Sequence, residues 1–285
     1  MPVEPPIELP HSLAEAYALL AAGPLRPIAG GTDLMVQITA ELGPPPERML
    51  DLSRLHELRG IALDGDQLVI GARSTFTEIR RSALCREHLP ALVEAAATIG
   101  AAQIQNRATI GGNAVNASPA GDSLPILLAT DAVLVAGSAR GERDIAVTGF
   151  WTAYRTTALA VDELLVRIRI PVVAGREVRF RKVGTRRAQA ISKVVMALAW
   201  HDGGPNARWT GVRLALGSLA DRPIRATATE AVLEGASPTP ETADRAAEAL
   251  AAEIHPIDDV RSTADYRRVV AARVLHRLVR DAGGW

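Results

Sequence analysis

The sequence predicts an α+β chain in which a mixed front part gives way to a rear part of strands followed by helices. Three observations carry this. After Gly175 the texture changes to long alternating segments at 178–183, 191–200 and 208–216, with helical patterns following near 226–234, 240–252 and 263–281. Ahead of that point, short apolar runs alternate with helical ones and two glycine-rich loops interrupt them. The chain has 285 residues and is 48% hydrophobic, enough for one large domain or two to three compact ones.

The front part begins with Ser12 and Glu15 at capping-box spacing before an Ala/Leu-rich run, which predicts a helix over 12–22. An extended segment at 26–29 runs into Gly30-Gly31-Thr32-Asp33 and then a helical 34–42. The three prolines at 44–46 break the chain; a short strand is expected at 48–52 and a hairpin over 61–70 across Asp64-Gly65-Asp66. Thr75 and Glu78 repeat the capping pattern before another helix, and 89–99 reads as helix too. The stretch 106–122 is rich in Asn, Gly, Ser and Pro and is read as irregular backbone. A short apolar helix at 123–130, a hairpin pairing 132–136 with 143–147 and an alternating strand at 162–170 closed by Pro171 complete the front part. There is no internal repeat and no low-complexity linker.

Charge and cysteine content narrow the function. Lys+Arg and Asp+Glu both total 32, so no global field draws nucleic acid or an anionic membrane. Cys85 is the only cysteine, so the chain alone makes no internal disulfide and ligates no cysteine-bound iron–sulfur cluster. The six histidines show no metal-ligand spacing. No segment approaches the ~18 apolar residues of a membrane span, and the N-terminus lacks a leader pattern, so a cytoplasmic location is expected. Lysine is confined to Lys182 and Lys193.

Two loops carry the candidate chemistry. Gly30-Gly31-Thr32-Asp33 lies where a strand meets a helix, a place where backbone N–H groups face a bound anion or simply form a turn. Thr109-Ile-Gly-Gly-Asn113 adds a second glycine pair, followed by Asn116, Ser118 and Asp122; two such loops could clamp one diphosphate from both sides. By local pattern Asp122 serves equally as a ligand acceptor or as a cap for the next helix, and Lys182 fits an anion contact or a solvent-facing strand position. Gly-x-Gly-x-x-Gly, P-loop, Gly-x-Ser-x-Gly and His-Glu-x-x-His patterns are all missing.

Taken in order and spacing, AGGTDL at 29–34, TIGGNAVNASPAGDSLP at 109–125, YRTTAL at 154–159 with DELLVRIRIP at 162–171, FRKVGTRRAQAISKV at 180–194 and RSTADYRRVVAARVLHRLV at 261–279 resemble the FAD-binding subunit of molybdenum hydroxylases, the xanthine dehydrogenase and aerobic carbon monoxide dehydrogenase type. The resemblance implies a two-lobed FAD-binding domain over 1–174, with lobes of about 1–55 and 56–174, and a C-terminal α+β domain over 175–285. It also implies that Pro27, Ile28, Ala29, Gly30, Gly31, Thr32, Asp33 and Leu34 wrap the FAD diphosphate, with Thr109, Gly112, Asn113 and Asn116 opposite. Asp122 would lie near the flavin, Val166 would be an apolar contact and Lys182 a basic contact to the ring. The first loop reads GGTDL where the carbon monoxide dehydrogenase type commonly reads GGHSL, and Asn116 stands where some relatives carry threonine.

The family relationship further implies an oxidoreductase subunit with no catalytic side chain and no metal of its own. A molybdenum-pterin large subunit and a small subunit with two 2Fe-2S clusters would be its partners, in a dimer of heterotrimers. A stand-alone flavin oxidase of the same fold and a non-catalytic assembly protein are the alternatives. Neither glycine loop holds a histidine for a covalent flavin link, and the colour of the purified protein separates the second alternative.

Overall fold

The computed structural model describes residues 5–186, 188–201 and 208–285. Residues 1–4, part of the N-terminal segment discussed above, Arg187 within the 180–194 segment, and 202–207 lie outside the described residues.

A first lobe contains β1 (Ile7–Glu8), α1 (Leu13–Ala22), β2 (Arg26–Ile28), α2 (Leu34–Thr39) and β3 (Met49–Asp51), its strands forming a parallel sheet in the order β1-β3-β2. Helix α1 is capped by the Ser12 hydroxyl, which accepts from Glu15 N at 3.2 Å. The reciprocal half of the capping box differs from expectation: Glu15 Oε2 accepts from His11 N at 2.7 Å, one residue earlier than the cap. Helix α2 stops at Thr39 rather than 42, because Glu41 turns left-handed at φ 52° and no α2 residue is buried to hold a further turn.

The second lobe comprises β4 (Ile61–Asp64), β5 (Gln67–Gly71), α3 (Phe76–Arg81), α4 (Ala83–His88), α5 (Pro90–Thr98), α6 (Ala102–Gln105), α7 (Ile110–Asn116), α8 (Leu124–Ala129), β6 (Val133–Ser138), β7 (Gly141–Ala146), β8 (Trp151–Ala153), β9 (Thr156–Thr157) and β10 (Leu164–Pro171). Its main sheet runs β4-β5-β10-β6-β7, all antiparallel. The expected 61–70 hairpin forms, with Gly65 at φ 57° in its turn. Strand β10 is central, which explains its alternation: Leu164, Val166, Ile168 and Ile170 are buried, while Arg167 and Arg169 pair with Glu142 and Asp144 on the other face. The predicted capping box at Thr75 and Glu78 is complete.

The irregular backbone expected over 106–122 is corrected at its centre, where α7 is a helix. Thr109 caps it, accepting from Gly112 N at 3.0 Å, and a side chain at Gly111 would meet Ala72 at 2.6 Å. The glycines that argued for a loop are there so that a helix can sit against the sheet. The β8–β9 hairpin was not anticipated; its tip is Arg155 at φ 51°.

The remaining chain forms β11 (Arg176–Val183), β12 (Val194–His201), β13 (Thr210–Gly217), β14 (Ile224–Arg225), α9 (Thr227–Leu233), α10 (Pro240–Glu253) and α11 (Ala264–Gly283), with an antiparallel sheet in the order β11-β12-β13-β14. Strand β12 is covered on both faces, so it reads as an unbroken apolar run. Val194, Met196, Leu198 and Trp200 join the core beneath α9–α11, whereas Val195, Ala197 and Ala199 join the second lobe's core. All six residues of α8 are buried. The rear sheet and the second lobe therefore share one apolar layer, which fixes the 118–122 segment and α8 against the start of β12.

Candidate functional site

Strand β2 delivers the first glycine segment against Arg107 and Ala108, the residues that lead into α7. A Cβ at Gly30 would lie 1.9 Å from the Arg107 carbonyl oxygen, so only glycine permits this approach. Arg107 Nε returns a hydrogen bond to Gly30 O at 3.1 Å. Gly31 follows at φ 71°. Among the described residues, the backbone N–H groups of Gly30, Gly31, Thr32 and Asp33 reach no protein acceptor. Four consecutive free donors lining a cleft form a nest suited to an anion.

The second glycine segment is different. The N–H groups of Ile110, Gly111, Gly112 and Asn113 are taken by Ser74 O, Ala72 O, Thr109 Oγ1 and Thr109 O at 3.1, 2.8, 3.0 and 2.9 Å. What α7 offers a ligand is a glycine surface and two amides. Asn113 accepts from Ser123 Oγ at 2.7 Å, leaving its NH2 available. Asn116 joins the lobes, donating to Asp33 Oδ1 at 3.1 Å and accepting from Arg155 at 3.0 Å.

Two clefts meet at this point. One, with about 1100 Å³ of empty volume, is lined by Pro27 to Leu34, Thr109, Gly112, Asn113 and Asn116, and by Arg73, Phe76, Glu163, Leu164 and Leu165. The other, with about 1710 Å³, shares Thr32, Asp33, Asn113 and Asn116 and continues past Asp122, Ser192 and Arg267. Together they form a groove with an anion nest near its middle, a shape that accommodates a dinucleotide extended through its diphosphate. The residues present thus fit FAD: free donors for the diphosphate, apolar walls in the first arm, polar groups in the second.

Asp122 is 6% exposed. Lys182 Nζ donates to its Oδ2 at 2.6 Å and to Thr98 O at 3.0 Å, and the Ser192 hydroxyl donates to Oδ1. Burial pushes the Asp122 carboxyl above its ordinary value, against the pull of the Lys182 charge and of the hydrogen bonds from Lys182 and Ser192. Lys182 itself lines neither cleft; it stands behind Asp122 with its side chain 9% exposed. Val166 also lines neither cleft. It packs in the first lobe's core beside Leu20 and Leu50, and its neighbours Leu164 and Leu165 supply the wall.

Of the fifteen candidates, the structure thus gathers thirteen around one groove and sets Lys182 and Val166 behind its wall. Glu163, Ser192, Arg73, Arg155 and Arg267 were not singled out. Glu163, Ser192, Arg155 and Arg267 fall inside segments that carry the resemblance and Arg73 outside them, but no local pattern marks any of the five. Arg267 donates to Ser218 O and Asp259 Oδ1, both at 2.7 Å, contacts that no spacing in the sequence announces.

Residues 4–173 match the family described as the FAD binding domain in molybdopterin dehydrogenase, and residues 179–282 match the CO dehydrogenase flavoprotein C-terminal domain. The chain is 33% identical over 281 residues to the xanthine dehydrogenase FAD-binding subunit of Escherichia coli, covering 96% of this chain and 95% of that protein. It is 32% identical over 281 residues to the nicotinate dehydrogenase FAD-subunit of Eubacterium barkeri, covering 95% and 94%. A chain of carbon monoxide dehydrogenase from Hydrogenophaga pseudoflava, in a structure lacking the Mo-pyranopterin moiety of its molybdenum cofactor, superposes with a TM-score of 0.92 at 31% identity, covering 97% of this chain and 96% of that one.

Proposed function

Since the chain belongs to the family of FAD-binding subunits of molybdenum hydroxylases, we propose that it holds one FAD along the joined clefts and relays electrons within a multi-subunit dehydrogenase. The observation that carries this is the row of free N–H groups from Gly30 to Asp33, facing the glycine surface of α7 across the groove. Pro27 to Leu34 hold the diphosphate, with Thr109, Gly112, Asn113 and Asn116 opposite. Asp122 faces the flavin end, backed by Lys182, and Val166 holds β10 in place behind Leu164 and Leu165. FAD, when bound, supplies the redox chemistry; this chain binds it, orients it and sets the charge around it.

The partners are a molybdenum-pterin subunit, where substrate is oxidised, and a subunit with two 2Fe-2S clusters, in a dimer of heterotrimers located in the cytoplasm. The single cysteine supports placing the clusters elsewhere: Cys85 is buried in the second lobe. Relatives named for xanthine, nicotinate and carbon monoxide are all about equally similar to this chain, which supports a substrate pocket outside it. A division into 1–174 and 175–285 is supported by the ranges of the two family matches.

Purified alone, the chain should be yellow and release about one FAD on denaturation, with FMN a poor substitute. A colourless protein that takes up no FAD would sink the proposal. Isolated from its host, it should bring down molybdenum and iron; full substrate oxidation by this chain and FAD alone would favour the stand-alone oxidase instead.

A further inference from the structure

Arg73 follows β5 and lines the first cleft but not the second. Its backbone N–H donates to Leu58 O at 2.7 Å and its Nη1 to Leu55 O at 2.8 Å, which anchors the side chain at one corner. Among the described residues it has no ion pair: the nearby Glu78 carboxylate is bound to Arg59 instead, at 2.7 Å. Burial, with the Arg59 charge, pulls the Arg73 guanidinium below its ordinary value against the opposing charges of Asp51 and Glu78. Its remaining N–H groups meet no protein acceptor, yet they are not sealed off, since the buried unpartnered polar side-chain atoms of the described residues belong only to Tyr17, Trp200 and Arg267. They keep accessible surface, in a residue that lines the first cleft. Accessible guanidinium donors bond water in the empty cleft and are free to exchange it for acceptor atoms of a ligand.

The arrangement of the groove says what that is. The clefts meet at Thr32, Asp33, Asn113 and Asn116, Asp122 lies only in the second and Arg73 only in the first. With the diphosphate on the nest and the flavin beside Asp122, the first cleft takes the adenosine. Ile28, Leu159 and Leu164 give that arm apolar walls of the kind a purine requires.

We infer that Arg73 receives the adenosine half of FAD, donating its free guanidinium N–H groups to acceptor atoms of the purine or ribose, and so makes the site selective for FAD over shorter flavins. The inference rests on the FAD-binding function proposed above.

The test is a fluorescence titration of flavin-free protein with FAD and FMN. Arg73→Met should weaken FAD by roughly tenfold to a hundredfold, the loss of a charge-assisted hydrogen bond, while leaving FMN binding unchanged. Equal FAD affinity in wild type and variant overturns the inference; failure of the wild type to bind FAD overturns the function itself, so the two failures are distinct. Should the variant not fold, the wild type still answers. Phenylglyoxal should label Arg73 in the flavin-free protein, ADP should block the labelling and FMN should not, as read by peptide mass spectrometry. Labelling of Arg73 that ADP leaves unchanged likewise overturns the assignment.

Discussion

Gly30 and Arg107 meet backbone to backbone: the position a Cβ would occupy on the glycine is 1.9 Å from the arginine's carbonyl oxygen. A carbonyl held by the chain on both sides has little freedom to yield, so the first lobe and the α7 face can close on each other only with glycine here. Gly30→Ala should abolish tight FAD binding while leaving the cores intact. Far-UV circular dichroism and flavin stoichiometry together check this, with Gly23→Ala as control because nothing lies within 4 Å of that position. An alanine variant that retains its flavin would show that the lobes separate without cost.

Lys182→Met removes the positive partner of the buried Asp122 carboxylate. Breaking such a pair costs about 3–5 kcal/mol when the remaining charge stays ionised, and the uncompensated carboxylate would make the flavin harder to reduce. Because Lys182 stands behind Asp122 rather than in the groove, it acts on the flavin through the Asp122 charge, and its loss should lower the midpoint. Burial already raises the Asp122 carboxyl, and the Lys182 charge opposes this, so the variant's carboxyl should rise further. The shift should therefore be largest at alkaline pH and shrink as pH falls and Asp122 takes up a proton. Redox titrations at several pH values, with Lys193→Met as control, decide the matter; an unchanged potential throughout leaves Lys182 a purely structural residue.

Glu163 has its carboxyl shifted the other way, downward. Its carboxylate takes both Arg143 Nε and Nη2, at 2.7 and 2.8 Å, and the Ala160 N–H at 2.8 Å. The bonds from Arg143 hold it below the usual glutamate range although burial works against them. A depressed carboxyl stabilises the fold fully above its unfolded value of about 4.3, and this contribution disappears as pH falls through the lower folded value. Glu163→Gln should thus melt below wild type at neutral pH, and the two melting curves should converge under acid. A difference that persists unchanged below that window would show that the carboxylate's charge is not what matters.

Asn116→Ala severs the link from Asp33 to Arg155 across the lobes. Exposed hydrogen bonds of this kind contribute ~1 kcal/mol, so FAD affinity should fall about fivefold, with the flavin potential unmoved because the flavin end beside Asp122 is untouched. Calorimetric titration against the wild type measures it; a large change in potential would place Asn116 against the ring instead.

Much of this molecule is written locally. The capping residues at Ser12 and Thr75, the turn at Gly65, the alternation of β10 and the change of texture after Gly175 each depend on neighbours within a few positions, so the α+β class and most elements could be read from the sequence. The two glycine segments could be recognised too, because the residue types and their order survive in one dimension. What they do could not be read there. Gly30 leaves four N–H groups open to the groove, whereas the N–H groups of α7 are already filled by Ala72, Ser74 and Thr109, and only packing made that distinction. Likewise Lys182 reaches Asp122 across 60 positions, Val166 turns into a core and Arg73 is left with open donors beside a cleft. Whether a polar group is filled or free depends on which distant backbone folds against it, and that is decided by burial in three dimensions rather than by spacing along the chain.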